Sequence, residues 1–445
     1  MTDSVLENKA RYKKILLLAG PLVGAMVSQN LLNLVDSYMI GKIGTNALAA
    51  VAAGGIISWL AGSAVMSLST GVQQLSARRF GEENHHETAF PLNAGLLTAV
   101  FIGLPAGLIC SAHATEIISV MTDDPEVVEL GASYLSITFL AVPFNGMNFC
   151  FRGYWSGINR QKVYMMTLFF MHSLNIFLNY ALIFGKFGLP ELGVTGAALA
   201  TLISIATGNL IYFSMAFLQL RQNGFAQKFP KKVMDSLIKL SIPNAIQSVL
   251  YALSYSTLYK IIALLGTAEL AASGLIINFA LVCYLPGMAM GLVATSLVGQ
   301  SLGKDDPEDA DLWARQTAKL ASTILGILSL PFIFLPEQLL SAFIQEPETV
   351  KTGITALQIL GVSLLVEGVA LVMQYALLGA GDSKRVMYIS TGAQWLFYLP
   401  LAWLMAQTLD WRLNGIWTAN LLNQVLLAVV FYKMWINGHW KKIKI

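Results

Sequence analysis

"LLNLVDSYMIGKIGTNALAA", residues 31–50, joins an apolar helical run to a short glycine-led loop and places one aspartate, Asp36, inside the run. Read as a helix, the run puts Gln29 and Asn33 seven and three residues before Asp36, on the same face. A charge at the centre of a bilayer costs about 2.5–3.5 kcal/mol on insertion scales, so a stripe ending in a carboxylate is expected to face the interior and to have a function. The second half of the stretch decides the fold: "GTNALAA" from Gly44 returns as "GTAELAA" from Gly266, half a chain further on.

The same offset pairs Pro21 with Pro243, "RFGEEN" from Arg79 with "SLGKDD" from Ser301, and "DPEVVELG" from Asp124 with "EPETVKTG" from Glu346. With one extra residue, "NRQKV" from Asn159 meets "DSKRV" from Asp382. The matches include loops, so the common composition of membrane helices does not explain them, and the chain reads as two copies of one unit.

Of 445 residues, 56% are hydrophobic and 12% charged, about half the charge of an ordinary soluble domain. Apolar runs of 18 residues or more recur, each long enough to cross roughly 30 Å of hydrocarbon as a helix. Spans are predicted near 15–41, 47–72, 91–112, 127–150, 162–184, 193–220, 236–265, 268–298, 314–336, 350–378, 386–406 and 413–436. The fold class is therefore an all-α polytopic membrane protein with 12 transmembrane helices in two pseudo-symmetric six-helix bundles. An even number of helices per copy makes both enter from one side, which sets the symmetry axis along the membrane normal and leaves a central cleft. The expected division is an N-terminal lobe over 1–220, a cytoplasmic linker over 221–235 containing "RQNGFAQKFPKK", and a C-terminal lobe over 236–445.

With the N-terminus placed inside, 23 Lys and Arg residues fall on the cytoplasmic side, against four outside: Lys42, Lys186, Lys351 and Arg412. Both termini are predicted cytoplasmic. The net charge of +3 is read as membrane topology, with no nucleic-acid partner. The charged start "MTDSVLENKARYKK" has no cleavage site, so no signal peptide is expected. Cys110, Cys150 and Cys283 are widely spaced and read as small buried hydrophobes, without disulfide or zinc.

No GxxxxGK[ST], HExxH, GxSxG or paired CxxC motif occurs, which argues against ATP as energy source and against an enzyme. "DDPEDAD" at 305–311 reads as a solvated loop, and His85 with His86 as a solvated pair; no metal site or cofactor is expected. The ionisable groups inside spans are Asp36, Lys260, Glu367 and His172. Lys260 is expected to snorkel toward the outer interface, and His172 to pack helices through a hydrogen bond. Asn175 and Asn179, four apart, form a second polar stripe that a carboxylate on a neighbouring helix would satisfy, so Asp36, Asn175 and Asn179 are the candidate cation-coupling site. Desolvation and hydrogen bonding to the anion oppose each other at a carboxyl group, and a group poised between them can load and unload a proton. Pro21 removes a backbone hydrogen bond in the same helix and is the candidate hinge. Glu367 is a second buried carboxylate, a candidate for cation or drug binding.

"LVDSYMIGKIGTNALAAVA" in the first half, "ATSLVGQSLGKDD" in the second and "LLGAGDSK" after the tenth span resemble the multidrug and toxic compound extrusion family, MATE. The resemblance covers nearly the whole chain. It implies a V-shaped pair of lobes in a bacterial inner membrane, acting as a monomer. Such a protein exports cationic amphiphilic drugs in exchange for protons, with sodium as the alternative coupling ion. It also implies that Asp36 is the coupling carboxylate, grouped with Gln29, Tyr134, Asn175 and Asn179. DinF-like members can carry a second acid where this chain has Asn179. Glu367 lies fifteen residues before Asp382, the spacing of a sodium-site acid in NorM-like members, yet Tyr251 stands where those carry a further glutamate.

The substrate class has indirect support: Phe, Tyr, Trp and Met side chains suit flat aromatic cations, and they suit lipid-facing packing equally. Three other readings are weighed. A lipid-linked oligosaccharide flippase needs a basic cavity, and only Lys260 and Arg152 are available to form one. An intramembrane enzyme such as an acyltransferase needs a His/Asp or metal constellation. A passive channel needs a filter or charge ring, and no motif marks one.

Overall fold

The computed structural model describes residues 2–445, with side chains from Asn8 onward, and among these residues the secondary structure is helix and turn without strand. The first copy contains α1 (Thr2–Gly41), α2 (Thr45–Gly81), α3 (Phe90–Ala112), α4 (Pro125–Leu140), α5 (Val142–Gly157), α6 (Gln161–Ile183) and α7 (Gly193–Gln219). The second contains α8 (Lys231–Ala263), α9 (Thr267–Gly303), α10 (Pro307–Phe334), α11 (Pro347–Gly379), α12 (Ser383–Gly392) and α13 (Arg412–Ile436). Between α12 and α13 the chain passes through two π-helical turns, Ala393–Tyr398 and Leu404–Thr408.

Nine of the described helices are long and apolar enough to cross a membrane, and ten crossings result when α4 and α5, bent by 46°, count as one. Pro143 near the start of α5 cannot donate into the preceding turn, which accounts for the break. Its partner in the second copy is Leu365, and α11 runs unbroken. The two remaining expected crossings are α8 and the segment 383–408. The middle of α8 is diluted by Ser241, Asn244, Gln247, Ser248 and Ser254, and 383–408 is interrupted by its π turns, so neither stands out by apolarity. Both are long enough to span, and with them the chain has the twelve-helix architecture its sequence predicts.

The repeat is visible in the backbone. At the offset that pairs Pro21 with Pro243, Gly81 at the end of α2 meets Gly303 at the end of α9, and Gly157 at the end of α5 meets Gly379 at the end of α11. The short helices Ala114–Ser119 and Pro336–Ser341 coincide as well. Left-handed positions repeat too: Glu83 (φ 58°) matches Asp305 (φ 56°), and Asn159 (φ 60°) matches Gly381 (φ 96°), which in the backbone puts the extra residue after this turn, later than the sequence alignment has it. Beyond the extra residue, Phe187 (φ 58°) matches Asp410 (φ 55°).

By contacts the chain forms two compact units, one of Pro21–Ala245 and one of the residues up to Gly20 with Ile246–Ile445. The division therefore falls within α1 at Pro21 and within α8 two residues after Pro243, whereas the sequence reading places the lobe boundaries at 220 and 236. The linker is shorter than expected, because α8 begins at Lys231. It is pinned within its own unit by the buried Asn93, whose Nδ2 donates to the carbonyls of Gly224 (2.9 Å) and Lys228 (3.2 Å) and whose Oδ1 accepts from the Ala226 amide (3.1 Å).

One loop reading changes. "DDPEDAD" is a helix start: Asp306 caps α10 by accepting from the Asp309 amide (2.9 Å). Glu308 and Asp309 fill the first turn, where the helix dipole favours acids. Asp309 also pairs with Arg11 (2.7 Å) and accepts from Trp313 Nε1 (2.9 Å), holding the start of α1 in this unit. His85 and His86 are both exposed, as a solvated pair requires, with His86 Nδ1 3.1 Å from the Gln222 carbonyl oxygen. The three cysteines are free; Cys150 and Cys283 are buried and Cys110 half-buried.

Candidate functional site

In the unit of Pro21–Ala245, α1 and α6 meet along their polar stripes. Residues 172, 175 and 179 of α6 are spaced three and four apart and form one face. Asn179 Nδ2 donates to Asp36 Oδ1 (2.6 Å) and to Asn175 Oδ1 (2.9 Å), and Asn175 Nδ2 donates to Thr201 Oγ1 of α7 (3.2 Å). Asn179 is 1% exposed, and its Oδ1 is a buried acceptor with no hydrogen-bond donor among the described residues. Asp36 itself is half-buried, so the carboxylate has a protein-facing and an open side.

A second group continues the stripe. His172 Nε2 lies 3.1 Å from Gln29 Oε1, and Gln29 Nε2 donates to Asn33 Oδ1 (3.2 Å). With Gln29 Oε1 as acceptor, His172 Nε2 carries the proton, and Nδ1 faces the Ser28 hydroxyl at 3.0 Å. One turn past Asp36 and Asn179, Ile40 and Ile183 enter an apolar cluster with Ala47, Val194 and Ala197, against which Tyr134 packs. The Tyr134 ring fits because its neighbour is Gly54: a Cβ there would sit 2.8 Å from Tyr134 Cδ1.

The structure thus brings Asp36, Asn175 and Asn179 into contact, joins Gln29 and Asn33 in one chain of hydrogen bonds, and sets Tyr134 in the adjoining apolar cluster. Glu367 belongs to the other unit, on α11, where it is 8% exposed. Its electrostatic neighbours are Tyr251 and Tyr255 of α8 and Tyr284 and Cys283 of α9, and the rings of Tyr251 and Tyr255 stand 5.3 Å apart. Lys260 is exposed near the end of α8, as snorkelling requires.

The geometry adds residues to the site that sequence reasoning leaves out. Ser28 and Thr201 carry no signal beyond a hydroxyl, and His172, an ionisable group inside a span that could relay protons or pack helices through a hydrogen bond, makes that hydrogen bond here. Glu269 escapes the sequence reading altogether: it is 4% exposed and paired with Arg412, whose Nε donates to Glu269 Oε1 (2.8 Å) and whose Nη2 bonds both Glu269 and the Leu265 carbonyl. The signal lies in the repeat, since the matching position in the first copy is Ala47. Removing the cation by Arg412→Ala is expected to lower thermal stability in detergent by about 1–3 kcal/mol, because a buried carboxylate loses its partner. The double variant with Glu269→Gln should recover most of that loss.

Two six-helix repeats in a chain that is 56% hydrophobic, with a carboxylate–amide chain inside one of them, define a polytopic helical membrane protein with an intramembrane polar site. A MatE family model matches residues 21–181 and again 243–404, and the chain belongs to the MatE family. The second match starts at Pro243, the partner of Pro21, and runs one residue longer than the first, reproducing the internal offset and its single insertion. Over 439 residues the chain is 24% identical to "Probable multidrug resistance protein NorM" of Thermotoga maritima, covering 97% of this chain and 93% of that protein. It is 26% identical to "Probable multidrug resistance protein YoeA" of Bacillus subtilis, with 96% and 93% coverage. Among solved structures, an outward-facing multidrug resistance MATE family transporter superimposes with a TM-score of 0.87 at 19% identity, covering 97% of each chain. A MOP superfamily transporter of Pyrococcus furiosus gives 0.85 at 19% identity, again over 97% of each. These structural likenesses show the fold.

Proposed function

We propose that this protein is a secondary active multidrug efflux antiporter of the bacterial inner membrane, with cytoplasmic termini, exporting cationic amphiphilic compounds in exchange for protons. One observation carries the reading: Asp36, a carboxylate inside a membrane helix, is held at 2.6 Å by an amide whose own oxygen lacks a donor. Such an amide serves both states of the acid. Its N–H₂ donates to the carboxylate, and its oxygen can accept the O–H of the protonated form. Proton binding therefore changes which hydrogen bonds join α1 to α6. A ligand shifts only equilibria it discriminates, so exchange follows if inward-open and outward-open states favour different patterns. Pro21, where α1 passes from one compact unit to the other, is the bending point in this scheme. Gln29, Asn33 and Tyr134 line the substrate path in this reading, and the multidrug resistance ascribed to the relatives supports drugs as the cargo.

A second reading is sodium coupling through Glu367, favoured by the burial of that acid among tyrosines. Purified protein in proteoliposomes separates the two. With an imposed proton gradient and no sodium, a fluorescent cationic dye should be exported, and Glu367→Gln should keep most of that activity. Export driven by sodium alone, stopped by Glu367→Gln but not by Asp36→Asn, would overturn the assignment.

A further inference from the structure

The side of α6 turned away from the polar chain carries a different feature. Val163, Met166 and Phe170, spaced three and four apart, form one wall of a groove, and Ile211 and Met215 of α7 form the other. The groove has a volume of about 450 Å³, and Lys162 stands at its end. At 100° per residue this wall lies roughly opposite residues 172, 175 and 179, which face α1. Met166 is 64% and Phe170 50% exposed, so the surface is apolar and open. From 163 to 170 it covers eight residues, about 10 Å of helix, a third of the roughly 30 Å hydrocarbon core.

The character of the surface changes sharply at one end. Arg160, the residue before α6, donates Nη1 to Gln219 Oε1 (3.3 Å) at the end of α7. Gln219, Arg221, Gln222 and Gln227, with Phe217 and Leu218, line a second, more polar cavity of about 390 Å³. Arg160 thus reaches a residue of the second cavity, Gln219, while Lys162, two residues on, lines the apolar groove. Between Glu129 and Asp235 the sole acidic residue is Glu191, which precedes α7 at the opposite end of this helix pair. Neither α6 nor α7 carries a carboxylate near Arg160, Lys162 or Arg221, and Glu87, on the turn bonded to Gln222 and Asn223, is paired with Arg79.

We propose that this surface binds an anionic glycerophospholipid, with an acyl chain along 163–170 and its phosphate against Lys162 and Arg160. Pliable Met and flat Phe side chains suit a flexible chain, and uncompensated basic groups at a membrane interface favour anionic headgroups. A zwitterionic lipid can fill the groove, but its phosphate arrives with a cation of its own.

The test uses the full-length protein, delipidated in detergent and titrated with phosphatidylglycerol or phosphatidylcholine, with bound lipid counted by native mass spectrometry. Wild-type protein should retain phosphatidylglycerol with roughly tenfold or greater preference. Arg160→Gln with Lys162→Gln should abolish the preference while leaving phosphatidylcholine retention unchanged. Ile211→Trp, which fills the groove and keeps both cations, should lower retention of both lipids. Equal retention of the two lipids by wild-type protein would overturn the proposal, and so would a preference that survives both variants.

Discussion

The Asp36→Asn protein is expected to reach the membrane in normal amount and to transport nothing. Asparagine has the shape of aspartate, and its side-chain oxygen can still accept from Asn179 at the position Asp36 Oδ1 now holds, 2.6 Å away. The packing of α1 on α6 is therefore retained, and a half-exposed polar exchange of this kind stays within about 0.5 kcal/mol in stability. What disappears is the titratable proton. An amide in this place is locked in one protonation state, so the hydrogen-bond pattern no longer responds to proton binding and a proton gradient has nothing to act on. Drug resistance of expressing cells should fall to that of cells without the protein. Efflux from proteoliposomes under a proton gradient should match empty vesicles. Wild-type efflux from this variant, at equal protein in the membrane, would end the assignment of Asp36 as coupling group.

A second large effect is structural. Gly153→Ala is expected to cost more than the roughly 1–3 kcal/mol typical of overpacking. A Cβ on Gly153 of α5 would lie 2.2 Å from the Ser69 carbonyl oxygen of α2, a backbone atom that no rotamer change can move. The helices must separate, and the neighbouring bond from Arg152 Nε to Ser69 Oγ (3.1 Å) is strained with them. The second copy has its own close approach, where Gly379 brings α11 against the Thr295 carbonyl, 2.6 Å from a Cβ position. Gly62→Ala is the control: the substitution is the same, also inside a membrane helix, but nothing lies within 4 Å of the added methyl. There alanine should be neutral, or stabilising by about 0.5–1 kcal/mol through helix propensity. Extraction yield, monodispersity and melting temperature in detergent should fall for Gly153→Ala and hold for Gly62→Ala. Similar behaviour of the two variants would contradict the packing described.

Helices, their number and their duplication were legible in the chain because each rests on local pattern: apolar length, punctuating loops and a constant offset. The polar stripe on α1 was legible for the same reason, since Gln29, Asn33 and Asp36 share a face through helix periodicity alone. Periodicity says which side chains point together, but not which helix they point at. Asp36 meets Asn179, and Gln29 meets His172, across 143 residues of chain in each case. Those meetings depend on how α1 and α6 pack, and so does the inclusion of His172. The pairing of Glu269 with Arg412 and the anchoring of Arg11 by Asp309 were invisible for a related reason. Each acid sits at a helix start, where sequence alone suggests solvent, and burial or pairing comes from a partner brought by another part of the chain. Local covalent order is enough to say what must cross the bilayer; long-range packing supplies the partner of each polar group, because a buried hydrogen bond is settled by geometry within about 3 Å.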